Sequence, residues 1–181
     1  MKSRILNIEK VSFQKWSHGK RHQFEIAWVG ARLGSSKLGV NVTVVPPGKR
    51  AWPYHAHHAN EEMFFVLEGR GSIRICGSSH KIRGGDFISL PPGRGSAHQI
   101  LNNSRASLRY LAVSTMEAPE AAEYPDSGKL GLFAGTPPGR RATKGSIRCF
   151  SQAADGVDDW EGERMRPTAC AWPRRKTRSA R

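Results

Sequence analysis

The sequence is poor in cysteine and has no long apolar run. Its three cysteines, Cys76, Cys149 and Cys170, lie far apart and form no Cys-x-x-Cys pair, which argues against a disulfide framework and against a cysteine zinc site. No segment approaches the roughly 18 consecutive apolar residues of a membrane helix. The first ten residues carry charges with no apolar stretch behind them. We therefore predict a reduced, cytoplasmic protein that does not engage membranes.

Acidic residues are also few: 29 Lys and Arg face 15 Asp and Glu, for a formal net charge of +14. Seven of the basic residues, and no acidic one, lie between Arg164 and Arg181. A like-charge run of this kind is typical of a solvated tail, and we predict that residues 164–181 are disordered. The alternative is a weak, salt-sensitive contact of this tail with nucleic acid. We expect no other contact with nucleic acid.

Helical periodicity is scarce, and only residues 117–123 suggest a helical turn or two. Strand-like runs rich in β-branched and aromatic residues dominate instead. They alternate with Gly, Pro and Asn turns at a spacing of roughly ten residues, which indicates a sandwich or a barrel. The predicted strands are Val40–Val45, Glu62–Glu68, Ser72–Cys76, Asp86–Leu90, Ala97–Leu101, Leu108–Ser114 and, after a loop over 134–145, Ile147–Ser151.

Histidines are concentrated in one region, with five of the seven between positions 55 and 98. His55 and His57 are two residues apart, a spacing that places both imidazoles on one face of a strand. Glu62 and His98 each stand at the start of a predicted strand. Three imidazoles and one carboxylate that converge would form a nitrogen and oxygen site suited to Mn, Fe, Co, Ni, Zn or Cu.

Two glycine-, proline- and histidine-containing motifs carry a family resemblance. The first reads Gly48, His55-x-His57, Glu62 and Gly69, and the second reads Gly85, Pro91-x-Gly93, His98 and Asn102. With these motifs the chain resembles the cupin superfamily, in particular small single-domain cupins described as sugar-phosphate-isomerase-like. It departs from the family in two spacers. Six residues separate Gly48 from His55 where five are usual, and four separate Gly93 from His98 where two are usual.

The resemblance implies an all-β fold, the cupin double-stranded β-helix or jelly-roll barrel. We expect a single barrel over residues 38–115, with N-terminal strands in residues 1–37 that pack on it. Residues 116–163 would then form a C-terminal extension, followed by the basic tail.

The resemblance also implies a complete ligand set for one divalent transition metal ion, which would be Mn, Fe, Zn or Ni: His55, His57, Glu62 and His98. Glu61 competes with Glu62, but the spacing favours Glu62, whose parity also turns Phe64 and Val66 inward. Open positions on such an ion would remain for water or substrate. No other cofactor is expected.

The strand that begins at Glu62 is apolar on both faces, because Met63, Phe65 and Leu67 alternate with the inward residues. An open, solvated outer face is therefore excluded. Either the N-terminal segment or a second subunit would cover it, and we predict a homodimer. The N-terminal residues considered for this cover are Phe13, Trp16, Phe24, Ile26 and Trp28.

Function is less sharply indicated than fold. Lys49, Arg50 and Arg94 lie close in sequence to the ligands and favour a small anionic substrate. We predict a metal-dependent enzyme with isomerase-like or epimerase-like chemistry, or a dioxygenase if the metal is redox-active. The catalytic residues are unknown, and Tyr54, His58 and Glu61 are the nearby polar candidates. The alternative is a non-catalytic cupin that binds or senses a sugar or another small molecule.

Overall fold

The computed structural model describes residues 4–156, and in this range the predicted all-β class is confirmed. One short helix, α1 (Val29–Leu33), accompanies the strands, together with three-residue 3-10 turns. The strands are β1 (Gln14–His18), β2 (His22–Ala27), β3 (Leu38–Val45), β4 (Ala56–His57), β5 (Glu62–Glu68), β6 (Arg70–Ile75), β7 (Ser78–Arg83), β8 (Phe87–Leu90), β9 (His98–Leu101), β10 (Leu108–Thr115), β11 (Glu120–Tyr124), β12 (Lys129–Ala134) and β13 (Ile147–Gln152).

The strands form three antiparallel groups. The largest has the order β1-β2-β3-β10-β5-β8, a second has the order β13-β12-β11-β4, and a third has the order β7-β6-β9. Neighbours in space are often distant in sequence, as when β10 lies between β3 and β5. This arrangement brings the segments around 55, 62 and 98 together.

The main core lies between the six-stranded sheet and the β7-β6-β9 group, because residues from both contribute to one apolar cluster. In β5 the alternation is regular: Phe64 and Val66 are buried, as predicted, and Met63 is exposed. The cluster consists of Phe24, Ile26, Val45, Ala51, Phe64, Val66, Ile73, Ile82, Ile88, Leu90, Ile100, Leu108, Tyr110 and Ala112.

The helical turns predicted over residues 117–123 are wrong, because this segment contains β11. Its sequence, Glu-Ala-Ala-Glu-Tyr, is rich in good helix formers. Backbone pairing decides otherwise, since β11 bonds β12 on one side and β4 on the other. The strands β7 and β12 were also not predicted.

The N-terminal segment does not simply cover the outer face of the barrel. β2 pairs with β3 in the same sheet, so Phe24 and Ile26 turn into the core. Phe13 lies 5.8 Å from the Arg109 guanidinium on β10. Met63 and Phe87, at the far side of the sheet, remain 46% and 71% exposed.

Several predictions are not tested by the structure of residues 4–156. The basic tail over 164–181 and the end of the extension, 157–163, fall beyond the described residues. The domain boundaries at 37 and 115 stay predictions. Among the described residues, no helix is long and apolar enough to span a membrane.

The homodimer stays a prediction, and the exposed Phe87 on the edge strand β8 makes it testable. Phe87 pairs across the strands with the half-buried Phe65 of β5, with ring centroids 4.4 Å apart, next to the exposed Met63. If two copies pair through this face, Phe87→Ser will shift the molecular mass measured by light scattering from dimer towards monomer. Leu132→Ser, at another exposed apolar position, on β12, will leave the mass unchanged. A wild-type protein that is monomeric at all concentrations would refute the prediction.

Candidate metal centre

His55 and His98 are held opposite each other by the backbone. His98 donates its backbone N–H to the carbonyl of His55 at 2.8 Å, and His55 donates its own to the carbonyl of His98 at 3.1 Å. Their ring centroids are 4.7 Å apart. The bridge lies at the start of β9, so strand pairing alone sets the separation of these two imidazoles.

All three imidazoles direct their Nδ1 atoms at an oxygen atom of the protein. His55 Nδ1 lies 2.7 Å from the Pro53 carbonyl, and His98 Nδ1 lies 2.9 Å from the Ser96 carbonyl. Because a carbonyl can only accept, each of these nitrogens carries a proton, so in the neutral imidazole the lone pair is on Nε2. For His57 the facing oxygen is Glu120 Oε1, 3.6 Å from Nδ1.

Glu62 stands where the Nε2 atoms meet. Its Oε2 lies 3.2 Å from His98 Nε2 and 3.7 Å from His57 Nε2. One ligand atom from each of His55, Glu62 and His98 lies within 4.8 Å of the others. The structure thus brings three of the four predicted ligands into one group, with His57 beside Glu62.

This donor set fits a divalent transition metal ion. Glu62 Oε2 is buried and makes no hydrogen bond within residues 4–156, a costly state for a carboxylate oxygen unless another group satisfies it. Neutral imidazole nitrogens and one carboxylate suit Mn, Fe, Ni or Zn alike. Metal ligation by the four residues stays a prediction, and the donors do not identify the ion.

The pKa values of the side chains in the group are shifted in different directions. Burial, reinforced by the neighbouring His98 and His57, lowers the pKa of His55 to about 3, so this imidazole is neutral at physiological pH. Burial also lowers the pKa of His57, but the carboxylates of Glu120 and Glu62 beside the ring outweigh it and the pKa is raised. Burial raises the pKa of Glu62, yet the adjacent imidazoles, His98 above all, bring it down to about 2.

The surroundings of the group are tight and apolar on the inner side. Phe64 packs edge-on against His98 at 5.3 Å and contacts Tyr110 at 5.4 Å, and burial raises the pKa of Tyr110. On the outer side lies a shallow cleft that lacks the enclosed volume of a drug-sized ligand pocket. Its lining comprises His57, Asn60, Glu62, Leu90, Pro91, Ser96 and His98.

The three polar candidates for proton transfer do not line this cleft. Tyr54 accepts a hydrogen bond from the Gly77 backbone and lies under the Arg74 guanidinium. His58 is turned outward, with its Nε2 3.3 Å from Glu123 Oε2. Glu61 is exposed. Tyr124, which was not a candidate, does contact the group, with its ring stacked on His55 at 5.9 Å.

Of the three cations predicted to lie near the ligands, only Arg94 does so. Arg50 is bridged to Leu101, three residues along β9 from His98 and thus about 10 Å away. Lys49 precedes it and donates its ammonium group to the Lys20 carbonyl. Both therefore lie at the other end of the barrel. Arg94 does lie near the cleft, where its Nε donates to Glu123 Oε2 at 2.8 Å.

Two further cations flank Tyr124. The Lys129 ammonium lies 5.6 Å from the Tyr124 ring, and the Arg148 guanidinium stacks on Phe133 and Phe150 at 5.5 and 5.7 Å. Both come from the hairpin β12–β13. Sequence reasoning missed them, together with Tyr124 and Glu120, because no motif marks the residues after position 115 as part of the site.

Comparison with known proteins agrees with this geometry. Residues 41–114 match the family described as Cupin domain. An uncharacterised protein of Methanocaldococcus jannaschii is 32% identical over 78 residues, which are 43% of this chain and 60% of that protein. The match therefore spans less than two thirds of that relative's length.

Two solved structures share the fold over most of the chain. One, from Acidithiobacillus ferrooxidans and provisionally named a sugar phosphate isomerase, has a TM-score of 0.71 over 85% of this chain and 95% of its own, at 22% identity. The other, a cupin-superfamily sugar phosphate isomerase from Silicibacter pomeroyi, has a TM-score of 0.69 over 83% and 94%, also at 22% identity. The fold is thus the cupin double-stranded β-helix, as predicted; these identities carry no statement about activity.

The pH dependence of metal uptake follows from the raised pKa of His57. A metal ion must displace the proton of this imidazole, so binding is weak below that pKa and strengthens as the pH rises through it. Below the pKa, a one-proton competition changes the affinity by about tenfold per pH unit. We expect the rise in melting temperature caused by Co²⁺ to grow between pH 6 and pH 8. A Co²⁺ effect that is constant across this range would contradict the expectation.

Proposed function

We propose that this cupin-domain protein holds one divalent transition metal ion through His55, His57, Glu62 and His98 and acts on a small anionic molecule as a metal-dependent enzyme. The observation that carries the proposal is the group itself. Two imidazoles and a carboxylate, from His55, His98 and Glu62, converge with His57 beside the carboxylate, and the buried Glu62 Oε2 has no hydrogen-bond partner among the described residues. Such an ion would supply Lewis-acid stabilisation of a carbonyl or enolate oxygen.

A small anion is favoured by the charge beside the cleft. Arg94 lies between Pro91 and Ser96, which both line the cleft, and its side chain is 79% exposed. Only its Nε is engaged among the described residues, by Glu123, so the outer guanidinium nitrogens can donate to a carboxylate or phosphate.

Isomerase-like chemistry is the first reaction class to test. The two solved structures described above carry the name sugar phosphate isomerase, one of them provisionally, and aldose–ketose isomerisation needs only a proton shift with no added oxidant. A dioxygenase is the second class, and it would need a redox-active ion and O₂. Neither class follows from the fold, because unrelated activities share it.

A non-catalytic binding protein is the alternative, and one observation favours it. Tyr54 and His58 are engaged elsewhere and Glu61 is exposed, so none of the predicted proton-transfer candidates faces the cleft. In that case the ion would serve recognition, and the protein would hold a sugar or a similar ligand without converting it.

Metal content tests the foundation of the proposal. Tag-free wild-type protein analysed by mass spectrometry should contain about one transition metal ion per chain, and His57→Ala should lose most of it because a ligand is removed. His80→Ala, at an exposed histidine on β7, is the matched control and should retain the ion. Wild-type protein that neither contains a metal nor takes one up on reconstitution would refute the metal site.

Substrate class is tested with Arg94. Calorimetric titration of the metal-loaded protein with inorganic phosphate and a panel of aldose phosphates should show binding that Arg94→Gln weakens about tenfold or more, since a charged hydrogen bond is lost. Arg83→Gln, an exposed arginine on β7, should bind normally. Conversion of an aldose phosphate seen by NMR supports the enzyme, whereas binding without conversion supports the alternative. Equal binding by both variants would refute the role of Arg94.

A further inference from the structure

Glu120 is a buried carboxylate that the predicted site does not include. It begins β11, in the C-terminal extension and outside the residues that match the family, and its side chain is fully buried. Both of its carboxylate oxygens accept hydrogen bonds from N–H groups, as an ionised carboxylate does. Glu120 is thus a buried acidic side chain next to His57, and its placement requires an explanation.

The two carboxylate oxygens are used differently. Oε2 accepts hydrogen bonds from the backbone of Ala59 at 3.3 Å, from the backbone of Asn60 at 2.9 Å and from the Asn60 side-chain amide. Oε1 accepts one hydrogen bond, from the His58 backbone at 2.9 Å. Oε1 therefore retains acceptor capacity, and it lies 3.6 Å from His57 Nδ1, which is buried and has no hydrogen bond in the described part of the chain.

We propose that Glu120 is a positioning residue that holds the proton of His57 on Nδ1 and thereby keeps the Nε2 lone pair directed at Glu62. The inference rests on the proposed metal site and deepens it. His55 and His98 obtain the same tautomer from backbone carbonyls. His57 has a carboxylate in that place, an arrangement that also makes an imidazole a stronger donor at Nε2.

A purely structural role would account for the loop contacts of both oxygens but not for the position of Oε1 beside His57 Nδ1. Oε2 accepts from three loop donors and Oε1 from one. A glutamine offers only one acceptor oxygen, which is best placed at the three donors, so its NH₂ group would take the place of Oε1 and face His57 Nδ1. Facing His57, it would donate to Nδ1 and move the imidazole proton to Nε2.

The first measurement uses the wild-type protein without metal. Nitrogen-15 NMR of the imidazole ring distinguishes the two tautomers, and at a pH above the raised pKa of His57 we expect the proton on Nδ1. In Glu120→Gln the proton should move to Nε2, and the affinity for Co²⁺ should fall 10- to 100-fold, the usual range for loss of such a partner. Glu117→Gln, an exposed carboxyl just before β11, should change neither quantity.

The outcomes separate this inference from the metal proposal. A wild-type His57 with its proton on Nε2 overturns the role of Glu120 whether or not metal binds. If Glu120→Gln fails to fold, the wild-type tautomer still decides. If the tautomer changes as expected but neither protein binds Co²⁺, the positioning role stands and the metal site is refuted. Weaker Co²⁺ binding with an unchanged His57 tautomer would mean that Glu120 supports the loop alone, and it too overturns the inference.

Discussion

Two buried carboxylates flank one imidazole, and the local fold depends on how their charges are met. Glu62 lies on the Nε2 side of His57 and Glu120 on the Nδ1 side. A buried charge is tolerated only when it is paired and hydrogen-bonded. Glu120 meets this condition through the backbone of residues 58–60, and so the loop between β4 and β5 takes the path that it does. Glu62 meets this condition only in part, because His98 and His57 lie nearby but its Oε2 has no hydrogen-bond partner among the described residues. This unsatisfied oxygen distinguishes the group from an ordinary part of the core.

The sequence was sufficient to predict the part of the site that strand pairing brings together. The spacing of His55, Glu62 and His98 is characteristic because each stands at a fixed place in an antiparallel register. The other half was not predictable, because Glu120 and Tyr124 reach the site through the pairing of β11 with β4, which involves only two residues of β4. No pattern in residues 117–123 indicates that contact, and their local composition points to a helix. Lys49 and Arg50 are close to His55 in sequence but not in space, because the chain that follows them runs along β9 before it reaches His55. The expectation that they lie beside the ligands therefore failed.

The cupin domain and the candidate site do not have the same boundaries. The family match ends at residue 114, whereas the groups around the imidazoles include Glu120, Glu123, Tyr124, Lys129 and Arg148. The barrel thus supplies the inner donors, and the extension supplies the carboxylate behind His57 and the aromatic ring on His55. Differences between proteins that share this barrel can arise in the extension without any change to the shared motif.

The backbone bridge between His55 and His98 makes one side of the site stiff. Two hydrogen bonds of 2.8 and 3.1 Å fix those imidazoles to each other, and neither can move without disrupting the start of β9. His57 has no such bridge to another histidine; it is attached to β11 through a two-residue ladder and the Glu120 side chain. The His55–His98 side of the site is therefore stiff, and the His57 side, which rests on β11, is more easily displaced. Ions of different radius would be accommodated mainly by movement of His57 and β11, so the position of β11 and of the hairpin β12–β13 that pairs with it would differ with the ion bound.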